Sequence, residues 1–424
     1  MTASATTKNL LLSVTGMSPA VVTETLYGIA ERIKAGDKNA HWPDEIRIIT
    51  TSKGKGEMVG RLVEGDWLRQ VCKAVEMPVI EMADDHILVV PGADGADVDD
   101  ARSEADHEAL ANFITRTVRD FTSKNDLRIH ASIAGGRKTM TFYLGYAMSL
   151  FGRHFDSMSH VLISEGFEFI RGFYFPNQTN PDRFETDKGV VYSRDAKVTL
   201  ADIPFIRMRH NLPAILQEES GSGDALNYRT LVNLINLGDQ PDRIYLRLTP
   251  KKCLVELFEG KPESAADEPV ANFSLQNPVY MAIYTAMARV TKKSGSERCC
   301  YVRTVKTGDD DSALYNDVAL LLARVAGMVP GKQTGKALYA GLTGKIINDN
   351  EMLANLQSSR TASIVEAELT DRVSEIRQKI EGSITEQLKY YLIPSSAFNE
   401  KGEVVNRGKY YGLRLSPDQI EIVE

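Results

Sequence analysis

The sequence is short of the residues on which several chemistries depend. Its 424 residues include four cysteines, seven histidines and two tryptophans. The cysteines, Cys72, Cys253, Cys299 and Cys300, form no C-x-x-C pair and stand in no Cys/His cluster. That pattern points to reduced thiols in a cytoplasmic protein and argues against a disulfide framework or a zinc site. No run approaches the roughly 18 apolar residues of a membrane span. The opening MTASATTKN lacks the basic-then-apolar layout of a signal segment, so a protein without a membrane anchor is expected. Basic side chains are also in deficit, 50 against 57 acidic, for a net charge of −7. A protein that binds nucleic acid over its whole surface carries a basic excess; this balance leaves room only for a local basic pocket. The histidine shortage is uneven, because none lies beyond His210.

What is present is an ordinary globular composition, 43% hydrophobic and 25% charged, over a length that suits two or three domains. Asn9–Val14 reads as a strand buried on both faces. After Thr15-Gly16-Met17-Ser18-Pro19 a helix is expected, with Ser18 as N-cap, Pro19 in the first turn and Val22, Leu26, Ile29 and Ile33 as its apolar stripe. Glu45–Thr51 reads as a second strand ending in the glycine-rich loop Ser52–Gly56, followed by a helix from Met58 to Val75 and an extended stretch from Pro78 to Val90. The acidic, turn-rich segment Ala93–Asp106 leads into a helix, His107–Thr122. Arg128–Ile133, the loop Ala134–Thr139, the helix Met140–Phe151 and the strand His160–Ser164 continue the alternation, with Phe167–Phe175 a further candidate strand. Strand, loop and helix in this order predict an α/β, Rossmann-like domain with a parallel sheet, expected over residues 1–210. Ligands of such sheets sit beyond the carboxyl ends of the strands, where strand order reverses.

Residues 211–225 read as a linker, with Ser and Gly at Glu219–Asp224, and residues 226–424 as a mainly helical second domain. Helical spacing is seen at Pro278–Lys293 and Ala313–Met328, and a long charged helix at Ser363–Leu388. Strands at Tyr390–Pro394 and Lys409–Leu415 flank a polar turn with Asn399 and Gly402. Helix followed by hairpin is the order of a winged helix-turn-helix.

Ala134-Gly135-Gly136-Arg137-Lys138-Thr139 is the most informative stretch for chemistry. Glycines let backbone N–H groups approach a phosphate, the following helix N-terminus adds positive potential, and Arg137 and Lys138 add full charges. The competing reading is a tight turn with a solvated basic pair. The Walker spacing is absent here, and GKQTGK at Gly331–Lys336 misses it too, because Ala337 stands where Ser or Thr is needed. Thr15, Gly16, Met17 and Ser18 suit phosphate or ribose contacts, with helix capping the rival role for Ser18. Lys53 and Lys55 could line the same mouth or simply be solvated. Asp99, Asp100 and Glu104 lack the compact spacing of a metal site, and no metal is expected.

V-T-G-M-S-P-A-V-V-T-E-T-L-Y at Val14–Tyr27, S-I-A-G-G-R-K-T-M at Ser132–Met140, S-L-F-G-R at Ser149–Arg153 and S-H-V-L-I-S at Ser159–Ser164 resemble the CRISPR-associated Rossmann-fold (CARF) proteins of type III systems. The group resembled most is the CRISPR-associated ring nucleases. The resemblance spans about residues 8–210, and more loosely Ser374–Arg377, Tyr391–Ile393 and Tyr411–Leu413. It implies a homodimer that binds cyclic oligoadenylate across its twofold axis, with no cofactor and no metal, and in ring nucleases cleavage by the ligand's own 2′-OH. Carried onto this chain, Lys138 would stabilise charge and Arg137 grip phosphate, with Ser13, Thr15 and Ser132 positioning ribose. Gly16, Met17, Ser18, Thr51, Lys53, Ala134, Gly135, Gly136 and Thr139 would line the ligand. Many CARF proteins carry an RNase domain with an Arg and a His separated by four to six intervening residues; Arg102/His107 and Arg153/His160 match by spacing, but both fall in the first domain. The rival expectation is a non-catalytic sensor that regulates transcription through weak DNA contact of the second domain.

Overall fold

The computed structural model describes residues 7–92, 94–187, 189–212, 228–264, 266–292, 301–302, 313–325, 337, 340, 369–398, 403–406 and 410–423. These fall into two compact units, the first reaching Leu212 and taking in Tyr228, the second running from Arg229. The expected linker beyond Leu212, the Gly331–Lys336 segment, Cys299, Cys300, Asn399, Gly402 and the start of the long charged helix lie outside the described residues.

The first unit is built on one sheet. Its strands are β1 (Lys8–Val14), β2 (Glu45–Thr50), β3 (Ile87–Val89), β4 (Leu127–Ser132), β5 (Ser157–Ile163) and, after a separate hairpin β6 (Arg183–Thr186) and β7 (Gly189–Tyr192), β8 (Val198–Asp202). The order is β3-β2-β1-β4-β5-β8, parallel throughout except for β8, which pairs antiparallel with β5. β1 occupies the middle, and Leu10, Leu11 and Leu12 are at most 1% exposed, which is why its apolar run does not alternate. From β1 the chain builds toward β3, then returns to the other side of β1 as β4, so the order reverses between these two strands.

Helices α1 (Ala20–Lys34) and α3 (Trp67–Ala74) join one core, in which Val22, Leu26, Ile29 and Val71 meet Leu11, Ile46 and Ile48. α4 (Glu104–Ser123) and α5 (Lys138–Phe151) pack against each other. Right-handed crossovers in opposite directions from β1 and from β4 put them on the other face.

Several expectations are corrected. Ser52–Gly56, expected as a glycine-rich loop, belongs to a helix, α2 (Ser52–Met58), continued by a wide turn at Val59–Val63; the helix expected over Met58–Val75 is broken before α3 by Asp66 at φ 60°. Glycine lowers helix propensity only modestly, and contacts at Gly54 described below override it. Phe167–Phe175 is a series of turns rather than a strand. Its aromatics serve packing instead: Tyr174 stacks on Trp67 with ring centroids 4.2 Å apart, and Thr23 Oγ1 donates to the Tyr174 carbonyl at 2.6 Å.

The second unit combines helices with two sheets. Its elements are α6 (Tyr228–Leu237), β9 (Ile244–Thr249), β10 (Leu254–Glu259), β11 (Ala271–Ser274), α7 (Pro278–Lys292), β12 (Tyr301–Val302), α8 (Ala313–Val325), α9 (Leu369–Glu381), α10 (Glu386–Leu392), β13 (Ser395–Phe398), β14 (Tyr410–Gly412) and β15 (Ile420–Ile422). One sheet runs β11-β10-β9-β15 and the other β12-β14-β13. The β9–β10 hairpin escapes sequence reading because its turn, Pro250–Cys253, contains no glycine; Cys253 itself takes the left-handed conformation at φ 50°. Tyr390–Leu392, expected in a strand, ends α10, where Leu388 and Leu392 are buried and override the β preference of the Tyr-Tyr-Leu-Ile run. No helix among the described residues is long and apolar enough to cross a membrane.

Two polar features of the first unit are unusual in being buried. At the corner between α5 and β5, Arg153 donates to both Asp156 oxygens at 2.8 and 3.0 Å and to the carbonyls of Lys124 and Leu127 at 2.5 and 2.7 Å. Asp156 also accepts from the backbone of Ile129 and Arg153. Arg153 and His160 therefore do not form a catalytic pair; Arg153 is committed to this corner. Glu24 on α1 is only 8% exposed, and burial pushes its carboxyl up to about 7, whereas burial pushes His130, held between Ser157 and Ser159, down to about 4.

Asp156→Ala leaves the Arg153 guanidinium uncompensated, and a loss of about 3–5 kcal/mol in urea unfolding is expected. Between about pH 4.5 and 7 folded Glu24 keeps a proton that the unfolded chain has released, so its contribution to stability falls with rising pH. His130 contributes in the opposite sense between about 4 and 6.5. The difference between Glu24→Gln and the parent isolates the first. The variant should match the parent near pH 4.5 and exceed it by up to about 3 kcal/mol above pH 7; a pH-independent difference would contradict this.

Candidate functional site

The carboxyl ends of β1, β2 and β4 converge, and the residues that let them do so are glycines. A Cβ on Gly16 would lie 3.5 Å from Gly136 Cα. One on Gly54 would fall 2.8 Å from the Gly16 carbonyl oxygen and 1.9 Å from Thr50 Oγ1, and one on Gly135 would meet Val21 Cγ2 at 2.9 Å and Thr15 Oγ1 at 3.0 Å. The loops thus approach within van der Waals contact, and a side chain at Gly54 or Gly135 would push them apart. Gly136 also takes φ 81°, a conformation that L side chains rarely adopt. These contacts explain why Ser52–Met58 starts its helix directly at the strand end: Gly54 is buried against Thr50 and Gly16.

Two long helices open onto this mouth with free N-termini. α1 starts after Pro19, and no side chain caps it. Ser18 is not the expected cap; its carbonyl instead accepts from Thr15 Oγ1 at 2.9 Å, which closes the turn. α5 starts after Arg137, likewise uncapped, and Thr139 Oγ1 in its first turn is buried without a hydrogen-bond partner. By contrast α4 is closed by a reciprocal box between Ser103 and Asp106. Helix starts without side-chain caps and the positive ends of two helix dipoles make this mouth a place for an anion.

The cations around it divide into two kinds. Lys53 Nζ lies 2.6 Å from Asp99, which also accepts from Ser52 Oγ at 3.2 Å. Arg137 donates through Nε to Asp100 at 2.8 Å, with a second contact from Nη2, and Asp100 takes Arg102 Nε at 2.9 Å on its other oxygen. Lys55 pairs with Asp84 at 2.7 Å. Lys138 is exposed and has no ion-pair partner among the described residues. Arg137 and Arg102 beside Asp100, and Lys53 beside Asp99, hold both carboxyls below the usual range. Both acids sit on the segment joining β3 to α4, which is fixed to the strand ends by Ser52 N to Val98 O at 3.0 Å, Val98 N to Val90 O at 2.9 Å and Val90 N to Thr50 O at 3.0 Å. An open cavity of about 500 Å³ lies along this segment, lined in part by Lys53, Asp97, Asp99, Asp100, Arg102 and Asp106.

The sequence-predicted residues take three depths. Met17, Ser18, Lys53, Gly136, Arg137 and Lys138 are exposed at the mouth, and Met17 is 59% exposed. Gly16, Ala134, Gly135 and Thr139 lie half-buried just behind them. Ser13, Thr15, Thr51 and Ser132 are buried beneath. Ser13 and Ser132 are register partners on adjacent strands; Ser132 Oγ lies 3.2 Å from Thr25 Oγ1, and Ser13 Oγ has no hydrogen-bond partner. Sequence reading missed the pairing of Asp99 and Asp100 with the basic residues, because it joins segments 46 and 37 residues apart. It also missed Thr50, buried and unpartnered under Gly54. Among the described residues no group of three or more His, Cys, Asp or Glu side chains stands together as a metal site.

The chain matches none of the curated proteins with which it was compared. It does match a family model, described as CRISPR-associated protein NE0113, over residues 18–235. That stretch takes in α1, the loops at Gly54 and Gly135–Gly136, Lys138 and the whole of the sheet after β1, and it exceeds half of the chain. The protein therefore belongs to the CRISPR-associated protein NE0113 family.

Proposed function

We propose that this chain binds cyclic oligoadenylate, cyclic tetra-adenylate foremost, as a homodimer, and cleaves it without a metal, ending type III CRISPR signalling. The observation that supports this most is the meeting of two uncapped helix N-termini at glycine loops, with Lys138, which has no ion-pair partner among the described residues, at the start of the second. A ring of phosphodiesters presents anions to both halves of a twofold-symmetric pair, so each mouth supplies one set of donors. Exposed apolar groups flank the mouth, Met17 and, one turn into α5, Phe142, each 59% exposed, and suit contact with adenine faces or with the second copy.

In the proposed reaction a ribose 2′-OH of the ligand attacks the adjacent phosphorus, the P–O5′ bond breaks, and the products carry a 2′,3′-cyclic phosphate and a 5′-OH. The protein aligns the three atoms and stabilises the added charge. Lys138 and the N–H groups of the first turn of α5 supply that stabilisation, and Arg137 holds a neighbouring phosphate. Thr15, Ser13 and Ser132 shape the floor on which ribose rests.

A second reading, a sensor acting through DNA, draws on the second unit. There α9, a turn at Gly382–Thr385, α10 and the β13–β14 hairpin follow one another, and β12 adds to β14. Its charge is unfavourable: on α10 the one cation, Lys389, is paired with Glu386, and Gln387 abuts Gly238. Phosphate neutralisation supplies most duplex affinity, so such a face binds DNA weakly.

The test is incubation with cyclic tri-, tetra- and hexa-adenylate in EDTA, with products resolved by chromatography. Cyclic tetra-adenylate should give fragments ending in 2′,3′-cyclic phosphate. Lys138→Ala should slow this about 10²–10³-fold while ligand binding persists. Wild-type turnover by the variant would remove Lys138 from the mechanism. Intact ligand together with a ligand-dependent, salt-sensitive gel shift would favour the sensor.

A further inference from the structure

Two of the cations at the mouth, Lys53 and Arg137, are already engaged by carboxylates of the same segment. The placement of those carboxylates is fixed. Val98 and Ala101, on either side of Asp99–Asp100, are 4% and 1% exposed, and the Val98 backbone is tied to Ser52 and Val90. The acids are thus presented from a pinned bridge, not from a loose loop. The ion pairs are open to water, Lys53–Asp99 on both sides and Arg137–Asp100 chiefly on the arginine side: the Asp99 side chain is 64% exposed, Arg137 44% and Asp100 26%. Exposed pairs are worth at most a factor of about five each, so an incoming phosphate can exchange with them.

From this arrangement we infer that Asp99 and Asp100 are built-in competitors for the ligand's phosphates, occupying Lys53 and Arg137 until a polyanion displaces them. The inference rests on reading the mouth as a phosphate site and specifies its regulation. Lys138 stays available for first contact; Lys53 and Arg137 then rotate from carboxylate to phosphate. Because the bridge is pinned, the released carboxylates remain nearby and repel the bound anion. The ligand concentration needed for occupancy rises, and when the ligand leaves or is cut the acids retake the cations. The opposite role for Asp100, orienting Arg137 toward the ligand, predicts the opposite effect of its removal.

The test uses the full chain and its Asp99→Asn, Asp100→Asn and double variants, in which asparagine keeps the size and an acceptor oxygen but removes the charge. Each is titrated by calorimetry with inorganic tripolyphosphate and with cyclic tetra-adenylate at several salt concentrations. Each single change should tighten tripolyphosphate binding up to about fivefold and the double change by about the product. The salt dependence should also steepen in the variants, since binding no longer frees carboxylates that take up counterions. In a Lys53→Gln background Asp99→Asn should gain less than in the parent, since only repulsion and no competition is then relieved; an equal gain in both backgrounds would speak against competition for Lys53. Unchanged or weaker tripolyphosphate binding by the double variant overturns the inference. Tighter tripolyphosphate binding with no binding of cyclic tetra-adenylate upholds it and removes the oligoadenylate reading. Cyclic tetra-adenylate bound equally by parent and double variant does the reverse.

Discussion

The site depends on backbone touching backbone. At the reversal of strand order, three loops close to within van der Waals contact at Gly16, Gly54 and Gly135–Gly136, where a single Cβ would intrude to between 1.9 and 3.5 Å of its neighbours. That approach aims the first turns of α1 and α5 at one point. Neither start carries a side-chain cap, and α2 is seated directly on the end of β2. Without it the basic residues would be scattered over separate loops, and their charges would be screened apart over a Debye length of about 8 Å.

Much of this was legible in the sequence, for reasons that differ from residue to residue. β1 announced itself because a strand buried on both faces needs consecutive leucines, and Leu10–Leu12 supply them. Gly135–Gly136 followed by Arg137–Lys138 is a local signal, complete within four residues. The first unit's α/β character followed from alternation alone. By contrast, Ser52–Met58 has loop composition and folds as helix because of what Gly54 meets in space. The second unit's β9–β10 hairpin hides behind a glycine-free turn. Least visible were the partners of the cations. No spacing rule joins Asp99 to Lys53 or Asp100 to Arg137, and the acidic stretch looked at most like a poor metal ligand set.

Charge shows the same separation of global from local. A net −7 describes the surface as a whole, while the mouth gathers Lys53, Arg137 and Lys138 beside two helix N-termini. Part of the acidic excess is what neutralises that patch in the unliganded chain, so composition understates the positive potential available once Asp99 and Asp100 let go.

The buried corner at Arg153 and Asp156 reaches further than its own stability. It sits at the far end of α5, the helix that begins at the mouth, and 14 residues at 1.5 Å each make a rod of about 20 Å. The chain leaving β8 is fastened to that same end: Arg207 donates to the carbonyls of Arg153 and Asp156 at 2.9 and 3.0 Å, and Arg209 to that of Phe151 at 3.0 Å. The polypeptide that exits the first unit is thus tied directly to the tail of the helix whose head lies at the mouth, with no free loop between the two up to Leu212.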